Sequence, residues 1–275
     1  MEGSRDLVVT LLASSTAGLM ARLALHPLDS IKANLQTPSP VPVRQLLSRN
    51  LYSGLGVAAL GSVPAGCLYF TSYEQARASL GNDSLSHFAA GMFAETLSCL
   101  QWVPVDVIKE RLQVQQHFKA RTYSYSGGLD ALKTILRDEG LHGLYRGYGA
   151  TLASFGPFSA FYFVFYEHFK SNLSGRFDSR IQFAEFACSG ALAGALAALI
   201  TNPLDMAKLR LQIQRAKGDF GPYTSFPRSF ETIVKVEGWS ALWKGAGMRM
   251  AFHAPSTAIS ITLFEEMKLV WDKVL

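Results

Sequence analysis

The chain has little cysteine, and what it has is scattered. Cys67, Cys99 and Cys188 stand far apart in apolar surroundings, which excludes a disulfide framework and the close spacing of a metal centre. No phosphate-cradling glycine loop and no nucleophile–base pair stands out, so neither enzymatic chemistry nor a cofactor is expected. The net charge is +5, yet no dense basic cluster exists to track a nucleic acid; the excess reads as loop charge at a membrane surface. The first residues are not rich in arginine and include Glu2 and Asp6, so no cleavable transit peptide is expected. The apolar stretch from Leu7 runs into a polar phrase near Pro27, which argues against a secretory signal as well.

What is abundant is apolar surface. Hydrophobic residues make up 49% of the 275, and the mean hydropathy is +0.15. That is more apolar than a soluble enzyme usually is. It suits helices that meet lipid on one side and water or each other on the other.

One short phrase is written three times, each time after an apolar stretch. Its copies are Pro27-Leu28-Asp29-Ser30-Ile31-Lys32 with Leu35-Gln36, Pro104-Val105-Asp106-Val107-Ile108-Lys109 with Leu112-Gln113, and Pro203-Leu204-Asp205-Met206-Ala207-Lys208 with Leu211-Gln212. Acid and lysine at i and i+3, with glutamine four residues on, share one side of a helix. The proline before them removes a backbone hydrogen bond and kinks that helix. Each copy would turn a polar stripe inward at the end of an apolar helix. Three copies could close a ring of Asp29 with Lys109, Asp106 with Lys208, and Asp205 with Lys32. The bland alternative is three exposed i,i+3 pairs, each worth tenths of a kcal/mol. Repetition in the same apolar context favours the ring.

Other landmarks repeat with the phrase. Tyr73-Glu74 with Arg77, Tyr166-Glu167 with Lys170, and Phe264-Glu265 with Lys268 read aromatic–acid–x–x–base, and Pro64, Pro157 and Pro255 precede them. Glu139-Gly140 through Tyr145-Arg146-Gly147 is answered by Glu237-Gly238 through Trp243-Lys244-Gly245, while the first third keeps only Leu51-Tyr52-Ser53-Gly54. The expected fold is an all-α membrane protein, a single domain over 1–275. Three pseudo-symmetric repeats, 6–80, 85–172 and 183–273, each hold two long helices. The six helices are predicted at 6–36, 54–80, 85–115, 148–172, 183–214 and 246–273, long enough to cross a bilayer with some tilt. Ser14 with Gly18 and Gly190 with Gly194 offer small-residue packing. Amphipathic segments (Leu129, Leu132, Ile135, Leu136; Phe230, Ile233, Val234) are expected along the membrane surface.

These residues resemble the mitochondrial carrier family over nearly the whole chain, about 10 to 273. The signature Pro-x-acid-x-x-base, then Glu-Gly, then aromatic-base-Gly, is complete in repeats two and three and degraded in the first. The resemblance implies six transmembrane helices around one central site in the mitochondrial inner membrane, working by alternating access. The base-rich connections inside repeats then face the matrix and both termini the intermembrane space. It further implies a matrix-side gate of Asp29, Lys32, Asp106, Lys109, Asp205 and Lys208, braced by Gln36, Gln113 and Gln212. An opposite gate, toward the intermembrane space, would use Glu74, Arg77, Glu167, Lys170, Glu265 and Lys268 with Tyr73 and Tyr166. Gly54, Gly147 and Gly245 begin the even helices, where free N–H groups and a positive dipole end suit phosphate. In this family such sites hold cardiolipin, with Arg146 and Lys244 helping; plain helix capping is the alternative.

Residues three and two before the even-helix prolines would face the cavity: Gly61 and Ser62, Ser154 and Phe155, Phe252 and His253. Arg22, Glu95, Gln101 and Arg249 join them, because ionisable residues within a membrane are functional candidates by default. Arg249 and His253 also admit a structural reading. The set suits a small amino-acid-like or zwitterionic metabolite, a carboxylate on Arg22 and an ammonium or sulfonium on Glu95, with Phe155 or Phe252 stacking. The run Gly61-Ser62-Val63-Pro64 to Tyr69-Phe70-Thr71-Ser72-Tyr73-Glu74 and the setting of Glu95 resemble the S-adenosylmethionine carriers. Trp102 and Ser154-Phe155 depart from that subgroup. The expected protein is a monomeric carrier of a small metabolite. The alternative is a carrier-fold accessory subunit recruited to an inner-membrane respiratory assembly.

Overall fold

The computed structural model describes residues 2–38, 42–47, 50–80, 83–115, 124–173, 182–215 and 223–274. These are helical apart from turns and short connections, with no strand among the described residues. In chain order they form α1 (Glu2–Leu35), the one-turn α2 (Val43–Leu46), α3 (Leu55–Leu80), α4 (Ser84–Val114), α5 (Gly128–Leu144) and α6 (Tyr148–Leu173). Then come α7 (Gln182–Ile200), α8 (Asn202–Ile213), α9 (Phe226–Glu237), a 3-10 turn (Trp239–Trp243) and α10 (Ala246–Val274).

The long helices close into a ring of contacts. α1 packs along α10 and α3, α3 along α4, α4 against α6, α6 along α7, and α7 along α10. Small side chains fill these seams, with Ala13, Ala17, Ala90, Ala94, Ala193 and Ala197 buried. Large apolar side chains point outward instead: Leu60, Phe163 and Val164 are 81%, 63% and 64% exposed. Small inside and large outside is the pattern of helices whose solvent is lipid. By length and composition α3 could cross a membrane by itself, and Glu185–Ile200 with Asn202–Ile213 pass the same test together. Gly194 comes within 3.5 Å of the His253 backbone for a Cβ placed on it, whereas Gly18 has open space around it.

The prolines act differently in the three copies. α1 and α4 run through Pro27 and Pro104 without interruption. Pro104 leaves the Leu100 carbonyl without its helical donor, and the Tyr145 hydroxyl donates to that oxygen at 2.8 Å. The third copy departs from the single helix predicted over 183–214. It breaks at Thr201, and the two parts are bent by 65°. Pro203 thereby falls in the first turn of α8, where no N–H is needed. The exposed end of α7 is satisfied locally: the Thr201 N–H and hydroxyl donate to Ala197 O at 3.0 and 2.7 Å, and Arg249 Nη1 donates to Ala198 O.

The amphipathic segments pack inward more than expected. In α5, Ala131, Ile135 and Leu144 join Cys99, Val103, Val107 and Leu112 of α4 in one core, with Leu132 against it. In α9, Ile233 packs on Met206 and Leu211 of α8, flanked by Phe230 and Val234. Leu129, Leu141, Val236 and Trp239 remain exposed beside them.

Candidate functional site

The three copies of the phrase meet where α1, α4 and α8 converge. Lys32 Nζ lies 2.7 Å from Asp205 Oδ2, Lys109 Nζ 2.8 Å from Asp29 Oδ2, and Lys208 Nζ 2.8 Å from Asp106 Oδ2. Each pair links two different helices, so the ring ties α1 to α8, α4 to α1 and α8 to α4. The one contact within a single copy, Lys109 to Asp106, is longer at 3.5 Å. Each glutamine donates its amide to an acid of the ring. Gln36 reaches Asp205 at 3.2 Å, Gln113 reaches Asp29 at 3.3 Å, and Gln212 reaches Asp106 at 3.0 Å. Beside the ring, Ala33, Val114, Leu209 and Ile213 from the same three helices form an apolar cluster. The arrangement is a plug of opposed charges whose shortest pairs all run between helices.

A further set of ion pairs anchors this plug and was not read from the sequence. Arg111, two residues after Lys109 and fully buried, grips Glu139 with Nη1 and Nη2 at 2.5 and 3.0 Å and donates to the Gln212 and Gln214 carbonyls. Arg210, two after Lys208, pairs with Glu237 at 2.9 Å and donates to the Tyr223 hydroxyl. The Glu-Gly landmark is therefore a clasp, of α4 to α5 and of α8 to α9. In the first copy Asn34 stands at the arginine position and donates to the Gln113 carbonyl at 3.2 Å. Its signal was present, since a second base follows each of the two later lysines. Its partner lies about 28 residues away in sequence, which local spacing does not reveal. Glu110, beside Lys109 at 3.0 Å, was also missed.

At the other end of the helices, Glu74, Arg77, Glu167 and Lys170 are exposed. No ion pair joins them among the described residues. Lys170 Nζ stands 5.8 Å from the centroids of both Tyr166 and Phe186. The Tyr73 hydroxyl contacts His87 Nδ1 at 3.0 Å, and Tyr166 stacks on Tyr162. The Glu265 and Lys268 side chains lie outside the described residues.

The cavity candidates divide. The Arg22 guanidinium lies 4.4 Å above the Trp102 ring. Glu95 accepts the Cys99 thiol at 3.3 Å and lies within electrostatic reach of Lys208. The His253 ring lies tilted against Phe158, centroids 4.9 Å apart, and meets Phe252 edge-on. Phe155 and Phe252 are half-buried. Ser62 and Ser154 bond back to their own helices, to Ala59 O and Ala150 O. The other three candidates also have protein partners. A Cβ on Gly61 would stand 2.5 Å from the Val105 methyls, so this glycine serves the α3–α4 contact. Gln101 donates to the Gly61 carbonyl at 3.1 Å. Arg249 is buried, caps Ala198 O, contacts Thr201 Oγ1 at 2.9 Å and lies 3.5 Å from Asp205.

Gly54, Gly147 and Gly245 have φ of 81°, 85° and 78°. They press on α4, α8 and the end of α1 in turn: a Cβ would stand 3.1 Å from Lys109 O, 2.9 Å from Gln212 Cγ and 3.0 Å from Gln36 Cγ. Left-handed backbone and close approach together require glycine. Gly147→Ala is expected to cost about 1–2 kcal/mol and lower Tm by several degrees. Gly149→Ala, with open space around it, is expected to leave Tm unchanged; thermal unfolding in detergent checks both.

Two cavities adjoin these glycines. One of ≈ 780 Å³ places Ser53 and Gly54 opposite Ser126, Gly127 and Gly128. The other, ≈ 440 Å³, places Arg146 and Gly147 opposite Thr224, Ser225 and Phe226. The start of an even helix thus faces the start of a connecting helix, α3 with α5 and α6 with α9. Arg146 and Lys244 are already engaged, Arg146 with the Gln214 carbonyl and Glu139, and Lys244 with Glu237 at 2.9 Å. Burial lowers the Arg146 pKa, with Glu139 opposing.

Comparison with known proteins agrees with this geometry. The family profile described as mitochondrial carrier protein matches residues 81–177 and 179–274, the two stretches that keep the full signature. The mitochondrial S-adenosylmethionine carrier protein of Xenopus laevis is 38% identical over 96% of this chain and 97% of its own. Mitochondrial substrate carrier family protein E of Dictyostelium discoideum is 36% identical over 96% of each. Mitoferrin-1 of Mus musculus is 30% identical over 95% of this chain and 82% of its own. A profile covering most of the chain, relatives aligned nearly end to end, and a charged plug built from a thrice-written phrase lead to one statement: the protein belongs to the mitochondrial carrier family.

Proposed function

We propose that the protein carries a small metabolite across the mitochondrial inner membrane by alternating access. Six helical units, α1, α3, α4, α6, α7 with α8, and α10, cross the bilayer as three repeats over 6–80, 85–172 and 183–273, both termini toward the intermembrane space. The observation that carries the reading is the closed ring of Lys32–Asp205, Lys109–Asp29 and Lys208–Asp106, while Glu74, Arg77, Glu167 and Lys170 at the other end form no ion pair among the described residues. It is the pattern of a passage shut toward the matrix and open at its other end. Ion pairs in a partly wet passage gain little net energy after desolvation, so substrate binding can offset the opening of one ring while the other closes.

The substrate proposed is S-adenosylmethionine or a similar amino-acid-like cation. Arg22 offers a base for a carboxylate and Glu95 an acid for a sulfonium or ammonium. Trp102, Phe155 and Phe252 offer flat apolar surface for a heterocycle. Relatives named as S-adenosylmethionine carriers support the choice. A lipid with two phosphates, such as cardiolipin, is proposed to bind between the facing helix starts at Gly54 and Gly127 and at Gly147 and Ser225. Nothing in the fold or the comparisons favours an accessory-subunit role. Uptake of radiolabelled S-adenosylmethionine into proteoliposomes tests the substrate: saturable uptake blocked by excess unlabelled compound is expected. Uptake no faster than in protein-free vesicles, with another amino-acid-like solute taken up, would reject this substrate and keep the carrier.

A further inference from the structure

We infer that Glu110 is a second acceptor for Lys109, taking over the ammonium when the Asp29–Lys109 pair opens, so that the three corners of the ring do not open at equal cost. The inference rests on reading the ring as a gate. Glu110 is 4% exposed. Its Oε1 lies 3.0 Å from Lys109 Nζ, and its Oε2 has no hydrogen-bond partner among the described residues. The Lys109 ammonium thus sits among three acids, with Asp29 at 2.8 Å, Glu110 at 3.0 Å and Asp106 at 3.5 Å. The other two corners lack this feature, because Lys32 is followed by Ala33 and Lys208 by Leu209.

Opening a corner separates an acid on one helix from a lysine on another. Even in a partly wet passage the larger penalty is a buried charge left without a partner. Lys32 leaves Asp205 and Lys208 leaves Asp106 with no second acid in ion-pair contact among the described residues. Lys109 does not, because Glu110 belongs to α4 and travels with it, and a lysine stem is flexible enough to shift between neighbouring carboxylates. The idle Oε2 also disfavours the closed state, since a buried carboxylate oxygen without a donor is destabilising; once Asp29 departs, both oxygens can hold the ammonium. Asp29 keeps a base on its own helix too, as Arg22 lies within its electrostatic reach. The charged groups facing Glu110 are Asp29 and Lys32 from α1, Asp106 and Lys109 from α4, and Lys208 from α8.

The test is thermal unfolding of the full chain in detergent without ligand. Asp29→Asn, Asp106→Asn and Asp205→Asn are compared with and without Glu110→Gln, which keeps size and removes charge. Asp29→Asn is expected to lower Tm by less than half as much as either other variant. Adding Glu110→Gln is expected at least to double that loss, beyond the sum of the single changes. Glu110→Asp, which keeps the charge, is expected to leave it small. Additive losses, or equal effects of Gln and Asp at 110, overturn the inference and leave the ring reading intact. No loss in any of the three asparagine variants overturns both. If Asp29→Asn/Glu110→Gln alone cannot be recovered folded, while the other two doubles can, the inference stands; failure of all three doubles overturns it.

Discussion

Glu139→Ala is expected to destabilise the protein by roughly 3–5 kcal/mol, which lowers Tm by about 6–20 °C for a chain of this size. The reason lies in what remains. Arg111 is fully buried, and Glu139 is its one acidic partner among the described residues. Its other acceptors, the Gln212 and Gln214 carbonyls, satisfy N–H groups without neutralising the charge. Removing the acid strands a cation at the junction of α4, α8 and α5. Replacing both partners, Arg111→Met with Glu139→Leu, is expected to recover more than half of the loss, because two apolar side chains leave no charge to solvate. Glu231→Ala serves as the control. That acid pairs with Lys235 at the open surface, both side chains more than half exposed, and its loss is expected to leave Tm unchanged. Thermal unfolding of the three variants decides; an equal response to Glu139→Ala and Glu231→Ala would refute the clasp.

Lys32→Ala, Lys109→Ala and Lys208→Ala are each expected to cut transport by about tenfold or more, since each 1.36 kcal/mol of lost stabilisation along the cycle is about tenfold in rate. Each lysine holds an acid of a different helix, so each deletion unlatches one seam of the closed state. Lys109→Ala is expected to be the most severe, because it leaves Asp29, Asp106 and Glu110 together without their common cation. The double exchange Lys32→Asp with Asp205→Lys restores opposite charges across the same seam and is expected to recover part of the activity. Proteoliposome uptake is the measurement. Unchanged uptake in all three single variants would remove the gating role from the ring.

Much of this was legible before any coordinates. The even helices predicted at 54–80 and 148–172 compare with Leu55–Leu80 and Tyr148–Leu173, because glycine and proline punctuate them clearly. The three cross-helix pairs follow from threefold repetition of one phrase, since a ring of three like units admits few pairings. What escaped was long-range or exceptional. The 65° break at Thr201 cannot be read from Pro203, because Pro27 and Pro104 occupy matching positions in unbroken helices. Gly61 and Arg249 have the composition of site residues, yet one is closed off by Val105 and the other by the end of α7. Whether such a residue meets substrate or backbone depends on its neighbour across the seam, which its own position in the phrase does not disclose.

The interruption at Thr201 makes the bundle a tripod with one jointed leg. In α1 and α4 the backbone ladder continues past the proline, so any tilt of the charged foot must be spread as elastic bending along the shaft. In the third leg the ladder has already stopped, and Arg249 and Thr201, both outside α8, hold the loose Ala198 and Ala197 carbonyls. That foot can swivel as a rigid piece without breaking a rung.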